Sequence, residues 1–156
     1  MGDVAVLCKK SIEPLAMGTA QEGQNGKDFY KFFFTNHPEQ RKYFKGAEAF
    51  TADDVQKSDR FERLGVGLLL SVHLLADTYS NMATFKGFVR DLIARHVNRG
   101  LDPALWMIFW SVWEAFLLSK GIPLDDATKA AWKTLGTAFN AEAQSALKKH
   151  GLPTAA

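Results

Sequence analysis

The sequence predicts an all-α fold of seven or eight helices of unequal length. Three observations carry this expectation. Apolar residues recur at three- and four-residue steps from end to end, with no sustained two-residue alternation and no Asn-Gly hairpin between apolar runs. No heptad repeat appears. Short corners at Pro38 and Pro103 suit helices that cross at an angle better than a four-helix up-and-down bundle. At 156 residues the chain fits a single domain, 1–156, with a sizeable core.

The elements follow in order. A first helix is expected over 3–17, kinked or shortened by Pro14, which lacks an N–H and clashes with the preceding turn. After Gly18-Thr19, a second helix over 20–36 carries Phe29, Tyr30, Phe33 and Phe34, paired at i, i+4. Pro38 forces a corner and starts a short helix over 38–44. Thr51 and Asp54 have the spacing of a capping box. A long amphipathic helix is expected over 56–79, with Phe61, Leu64, Leu68, Val72 and Leu75 as its apolar stripe. Its Gly65 and Gly67 each cost about 1 kcal/mol relative to Ala; they either permit close approach by another element or are simply tolerated. Helices over 82–97, 103–119 and 125–149 complete the chain. Asn98-Arg99-Gly100 and Gly121-Ile122-Pro123 separate them, and Asp125-Asp126 and Lys148-Lys149 suit the two ends of the last.

Composition excludes several function classes. An apolar fraction of 47% and a charged fraction of 23% are those of an ordinary soluble globule. Twelve Phe and four Trp are many for this length. They can build helix interfaces or line a slot for a flat cofactor, and composition alone leaves both open. A net charge of +2 without a Lys/Arg block gives no nucleic-acid footprint. The single cysteine, Cys8, excludes an internal disulfide framework, and no zinc-ligand spacing appears. The longest apolar run, Leu105 to Leu118, contains Glu114 and falls short of the roughly 20 residues a bilayer span needs. The N-terminus has no charged start before a long apolar run, and Val6 stands where a myristoylation signal needs Ser or Thr. A soluble, cytoplasmic protein is expected.

An ordered set of residues makes the chain resemble a globin, and specifically the nematode globins, over nearly its whole length. Phe34 and Pro38 fit the end of the second helix and its corner. Arg41-Lys42-Tyr43-Phe44-Lys45 follows, its Phe44 matching the family's haem-stacking phenylalanine. The run Phe50-Thr51-Ala52-Asp53-Asp54-Val55-Gln56 looks like the nematode version, although Phe50 stands where tyrosine is common. His96 matches the proximal iron ligand, and Trp132 sits where the last helix carries its aromatic.

The resemblance implies one b-type haem (iron protoporphyrin IX) and reversible binding of O2, with CO and NO as further ligands. His96 is then the fifth iron ligand, a neutral imidazole held through its other ring nitrogen, with Leu92 one turn earlier supporting the ring. Taken alone, a single histidine is ordinarily a surface or satisfied core residue. Tyr30 taken alone is an aromatic on a core face; in the family match its hydroxyl donates to bound O2. Leu64 is the sharpest departure, because this position commonly holds His, or Gln in nematode relatives. With leucine there, Tyr30 is the sole distal donor, the ferrous iron is expected to be five-coordinate, and Leu64 and Leu68 wall the distal side. Arg95 or Arg99 can pair with a haem propionate or stand solvated. Phe33 and Phe109 line either the pocket or the core. His73, about two and a half turns beyond Leu64, reads as structural; His37 and His150 fall at helix ends and read as solvated.

The function implied is intracellular O2 storage or facilitated diffusion by a monomer or weak homodimer, without enzymatic activity, membrane or nucleic acid, and with a possible reductase keeping iron ferrous. The alternatives are nitric oxide dioxygenation or a peroxidase-like reaction at the same iron, and a globin-fold sensor. No flavin or nicotinamide domain fits in the chain, Leu64 offers no acid–base group, and there is no room for a second signalling domain.

Overall fold

The computed structural model describes residues 3–155. Among them, α1 spans Val4–Ser11, α2 Glu22–Asn36, α3 Ala52–Gln56, α4 Asp59–Thr78, α5 Met82–Ala94, α6 Leu105–Ser119 and α7 Asp126–Lys149. Two 3-10 segments, Glu13–Leu15 and Pro38–Tyr43, complete the regular structure, and there is no strand among the described residues. The all-α expectation therefore holds. Among the described residues no helix is long and apolar enough to cross a membrane.

Several boundaries differ from the sequence expectation for identifiable reasons. The first helix stops at Ser11, and Pro14 sits inside a 3-10 turn closed by the Leu15 N–H on the Ile12 carbonyl. The long helix begins at Asp59, because Thr51 and Asp54 cap a separate one-turn helix, α3, in a true capping box. The helix carrying His96 ends at Ala94, so His96 itself lies in the hydrogen-bonded turns that follow. Pro103 stays in the loop before α6, which begins at Leu105.

The chain packs as two compact units, Ile12–His73 and the residues up to Ser11 with those from Leu74 on. In the first, α2 packs on α3 and on the 3-10 segment after it. Gln24 and Gln56 exchange side-chain amide bonds of 2.9 Å in both directions, tying α3 to α2. At Gly26 and Gly65 the backbones of α2 and α4 meet; a Cβ on Gly65 would fall on the Gly26 carbonyl. Gly67 has open space around it. Of the two glycines, one is required by close approach and one is merely tolerated.

The buried line along α4 is also more specific than the sequence stripe. Phe61, Leu69, Val72, Leu75 and Ala76 are buried, whereas Leu64 is 39% exposed and Leu68 half-buried. Gly65 and Leu69, each one residue on, take the core-facing line, so Leu64 and Leu68 form a neighbouring apolar face.

In the second unit α7 packs against α1, α5 and α6. Gly136 of α7 leaves room for the Trp110 ring, where any Cβ would collide. Trp132 is buried and its indole N–H donates to Ser11 Oγ at 2.9 Å, while Ser11 Oγ–H donates to the Cys8 carbonyl at 2.7 Å. Burial pushes the Cys8 thiol up to about 12, so it stays protonated. The Asp125 carboxylate caps α7 by accepting the Thr128 N–H at 2.8 Å.

Candidate functional site

Two sequence-selected residues, Tyr30 and His96, stand out chemically, one in each unit.

Tyr30 lies on the inner face of α2 and is 7% exposed. Its ring is enclosed by Phe29, Phe34, Phe44 and Phe61, with centroids 5.4, 5.7, 5.6 and 5.1 Å away. Phe33 stands farther off, at 6.4 Å. The i, i+4 spacing of Tyr30 and Phe34 aligns them on one helix face. The Pro38 corner turns the chain so that Phe44, half-buried, comes back against both. Burial pushes the Tyr30 phenol well above its ordinary value, and the Arg60 charge opposes this only in part. The group therefore remains an O–H donor.

His96 follows α5. Its Nδ1 lies 2.7 Å from the Leu92 carbonyl oxygen one turn earlier, which makes Nδ1 the protonated nitrogen and leaves Nε2 with a free lone pair. Burial lowers its pKa, the Leu92 bond opposes this, and the Arg95 and Arg99 charges add to the lowering. The ring is thus held neutral. Its edge meets Trp106 at 5.4 Å and 89°. Leu92 is buried. Arg95 is exposed and its Nε lies 3.5 Å from Asp91, so its guanidinium is already engaged on the surface; Arg99 is exposed.

The remaining candidates sort differently. His73 Nε2–H donates to the Leu15 carbonyl at 2.8 Å, a structural role. His37 is half-buried beside Phe33 and lies 3.7 Å from Glu39, and His150 is exposed. Phe109 packs with Trp110 and Trp113. Sequence reasoning missed three neighbours: Phe61, whose ring touches Tyr30; Arg60, which lies over Phe61 at 5.3 Å and bonds the Lys45 carbonyl at 2.7 Å; and Trp106 against His96. Only the i, i+1 adjacency of Arg60 and Phe61 was visible in the chain.

No cluster of three or more His, Cys, Asp or Glu side chains able to hold a metal ion exists among the described residues. A lone neutral imidazole with one free nitrogen suits instead a metal that brings its other ligands with it. The globin family model matches residues 27–143, which include Tyr30, Phe44, Leu64 and His96.

The chain belongs to the globin family. It is 65% identical to a myoglobin of Nippostrongylus brasiliensis over 153 residues, 98% of this chain and 99% of that one. It is 56% identical to a cuticular globin isoform of the same nematode, across 98% and 88% of the two chains. The structure of a Caenorhabditis elegans globin-like protein superposes with a TM-score of 0.94 at 52% identity, covering 97% and 96%.

A globin implies haem, and the residues of this globin fit it. His96 offers Nε2 from a ring oriented through Nδ1, the arrangement metal-bound histidines need. Tyr30 offers a protonated O–H from a ring set among Phe29, Phe34, Phe44 and Phe61.

Proposed function

We propose that this globin binds one b-type haem and reversibly binds O2, serving intracellular storage or facilitated diffusion. Haem supplies the iron that takes up O2. His96 is assigned as the iron ligand through Nε2, with Leu92 holding the ring's orientation. Phe44, Leu64, Leu68 and Leu92 are the apolar residues assigned to contact the porphyrin, and Arg95 is assigned to its propionates by exchange of its exposed pairing with Asp91. Tyr30 is assigned as the donor to bound O2.

The observation that carries the reading is the complementary state of the two polar groups. The imidazole is neutral with one nitrogen committed and one free. The phenol is protonated and ringed by phenylalanines. One is poised to ligate a metal and the other to donate to a negatively polarised ligand atom.

Non-enzymatic O2 binding is favoured over O2/NO turnover by the 65% identity to a nematode myoglobin. We take the whole chain, 1–156, as one domain; the unbroken family match from 27 to 143 supports this. Likeness to a nematode myoglobin over nearly all of both chains supports the storage role, and a cytoplasmic placement is proposed with it. The cuticular name of another relative makes fractionation of the native tissue the direct check on placement. Haem titration of the wild type against His96→Ala tests the assignment. Tight one-to-one binding, strongly weakened in the variant, is expected, and equal binding with an unaltered ferrous spectrum would overturn it.

A further inference from the structure

We propose that Arg60 is a positioning residue for O2 retention. Acting through the donor role proposed for Tyr30, it latches the corner 44–50 to α4 and holds the Phe61 ring against Tyr30. Arg60 is exposed, and an exposed arginine ordinarily spends its charge on solvent. Here the Nη1–H donates to the Lys45 carbonyl at 2.7 Å, and the guanidinium lies over the Phe61 ring, 5.3 Å from its centroid. A flat cation can stack on a ring and donate from its edge at the same time.

Both contacts lead to the aromatic cage. Phe61 is fully buried, and its ring packs on Tyr30 at 5.1 Å and on Phe44 and Phe50 at 5.6 Å each. Phe44 and Phe50 are the two ends of the corner. Between them the chain makes two turns: the Ala47 N–H donates to the Phe44 carbonyl at 2.9 Å, and the Phe50 N–H to the Ala47 carbonyl at 3.0 Å. Short turns open more easily than packed helices, so what pins this corner matters.

Arg41 pins the far end, its Nη1–H donating to the Phe50 carbonyl at 2.8 Å. Arg60 pins the near end, beside Phe44. Its charge also acts on the Tyr30 phenol, leaving the O–H more acidic than burial alone would, and so a better donor. Without the latch, Phe44 and Phe61 are free to shift. A donor that must be re-aimed at each ligand holds it less well than one already fixed.

The test is stopped-flow release of O2 from haem-loaded Arg60→Met and Arg60→Lys, each alone and combined with Tyr30→Phe. Arg60→Met should release O2 roughly 3- to 10-fold faster, the size of one modest hydrogen bond. Arg60→Lys keeps the charge and a donor but not the flat stack, and should fall between Arg60→Met and wild type. On the Tyr30→Phe background Arg60→Met should add nothing, because the two residues act as one unit. In the CO-bound ferrous protein, Arg60→Met should move the C–O stretch part of the way toward its position in Tyr30→Phe. Amide hydrogen exchange over 45–50 should quicken in Arg60→Met, which reads the latch apart from the ligand. Unchanged O2 release in Arg60→Met, even with quicker exchange, would overturn the proposal, and so would an equal acceleration on the Tyr30→Phe background. A Tyr30→Phe single variant releasing O2 at the wild-type rate would sink the donor role and the latch's effect with it, and that variant alone separates the two failures.

Discussion

The carbonyl oxygen of Leu92 lies 2.7 Å from Nδ1 of His96, and this bond fixes which imidazole nitrogen is free. A carbonyl oxygen can only accept, so Nδ1 carries the proton and Nε2 is the lone-pair nitrogen. Because α5 ends at Ala94, His96 is held by this bond, by its backbone N–H on the Ile93 carbonyl at 2.9 Å and by packing against Trp106.

Tyr30→Phe removes one O–H and leaves the aromatic cage of Phe29, Phe34, Phe44 and Phe61 intact. Loss of a charge-assisted hydrogen bond should speed O2 release roughly 10- to 100-fold. Stopped-flow displacement of O2 measures it. An unchanged rate would remove Tyr30 from ligand retention.

Gly65→Ala and Gly67→Ala should move stability in opposite directions. A methyl on Gly65 meets the Gly26 backbone, and forcing it in should cost about 1–3 kcal/mol, the usual toll of overpacking. A methyl on Gly67 meets nothing and should add about 1 kcal/mol through helix propensity. Denaturant unfolding of both variants reads the difference; equal effects would contradict the Gly26–Gly65 crossing.

Ser11→Ala deletes the acceptor of a buried indole N–H. Trp132 would then be left unsatisfied in the core, at a cost of about 1–3 kcal/mol. Ser11→Thr keeps the hydroxyl and should lose less. A thermal melt showing Ser11→Ala as stable as wild type would mean that the Trp132 bond contributes nothing.

Acid should weaken the start of α7. Hydrogen bonds from Thr128 hold the Asp125 carboxyl below its ordinary value of 3.8, with Lys10 adding a smaller effect. The folded pKa is depressed, so this stabilisation is complete above 3.8 and is lost as pH falls through the folded value. Asp125→Asn keeps a cap without a titrating group, and its stability should fall less between neutral and acid pH. Parallel pH profiles for the two proteins would refute the assignment.

The helical character of the chain was legible because apolar spacing is a local property, and so was the Thr51–Asp54 box, which needs only its own four residues. The roles assigned to Tyr30, Phe44 and His96 come from the resemblance, not from spacing. What stayed hidden depends on the far side of a contact. Gly65 and Gly67 look alike in sequence, and only the approach of Gly26 separates them. Leu64 and Leu68 fit an apolar stripe as well as Gly65 and Leu69 do, but glycine at the crossing moves the buried line by one residue. Trp106 reads as one more aromatic on an aromatic-rich helix until the fold sets it against His96.

Haem held by His96, with an open distal site and Tyr30 retaining O2, is decided by the absorbance spectrum of the reduced, deoxygenated, haem-loaded protein, recorded before and after adding O2. A five-coordinate ferrous spectrum that converts to a stable oxygenated form is the result expected. A six-coordinate spectrum before O2 is added would show that an internal ligand closes the site, contradicting the roles given to Leu64 and Tyr30.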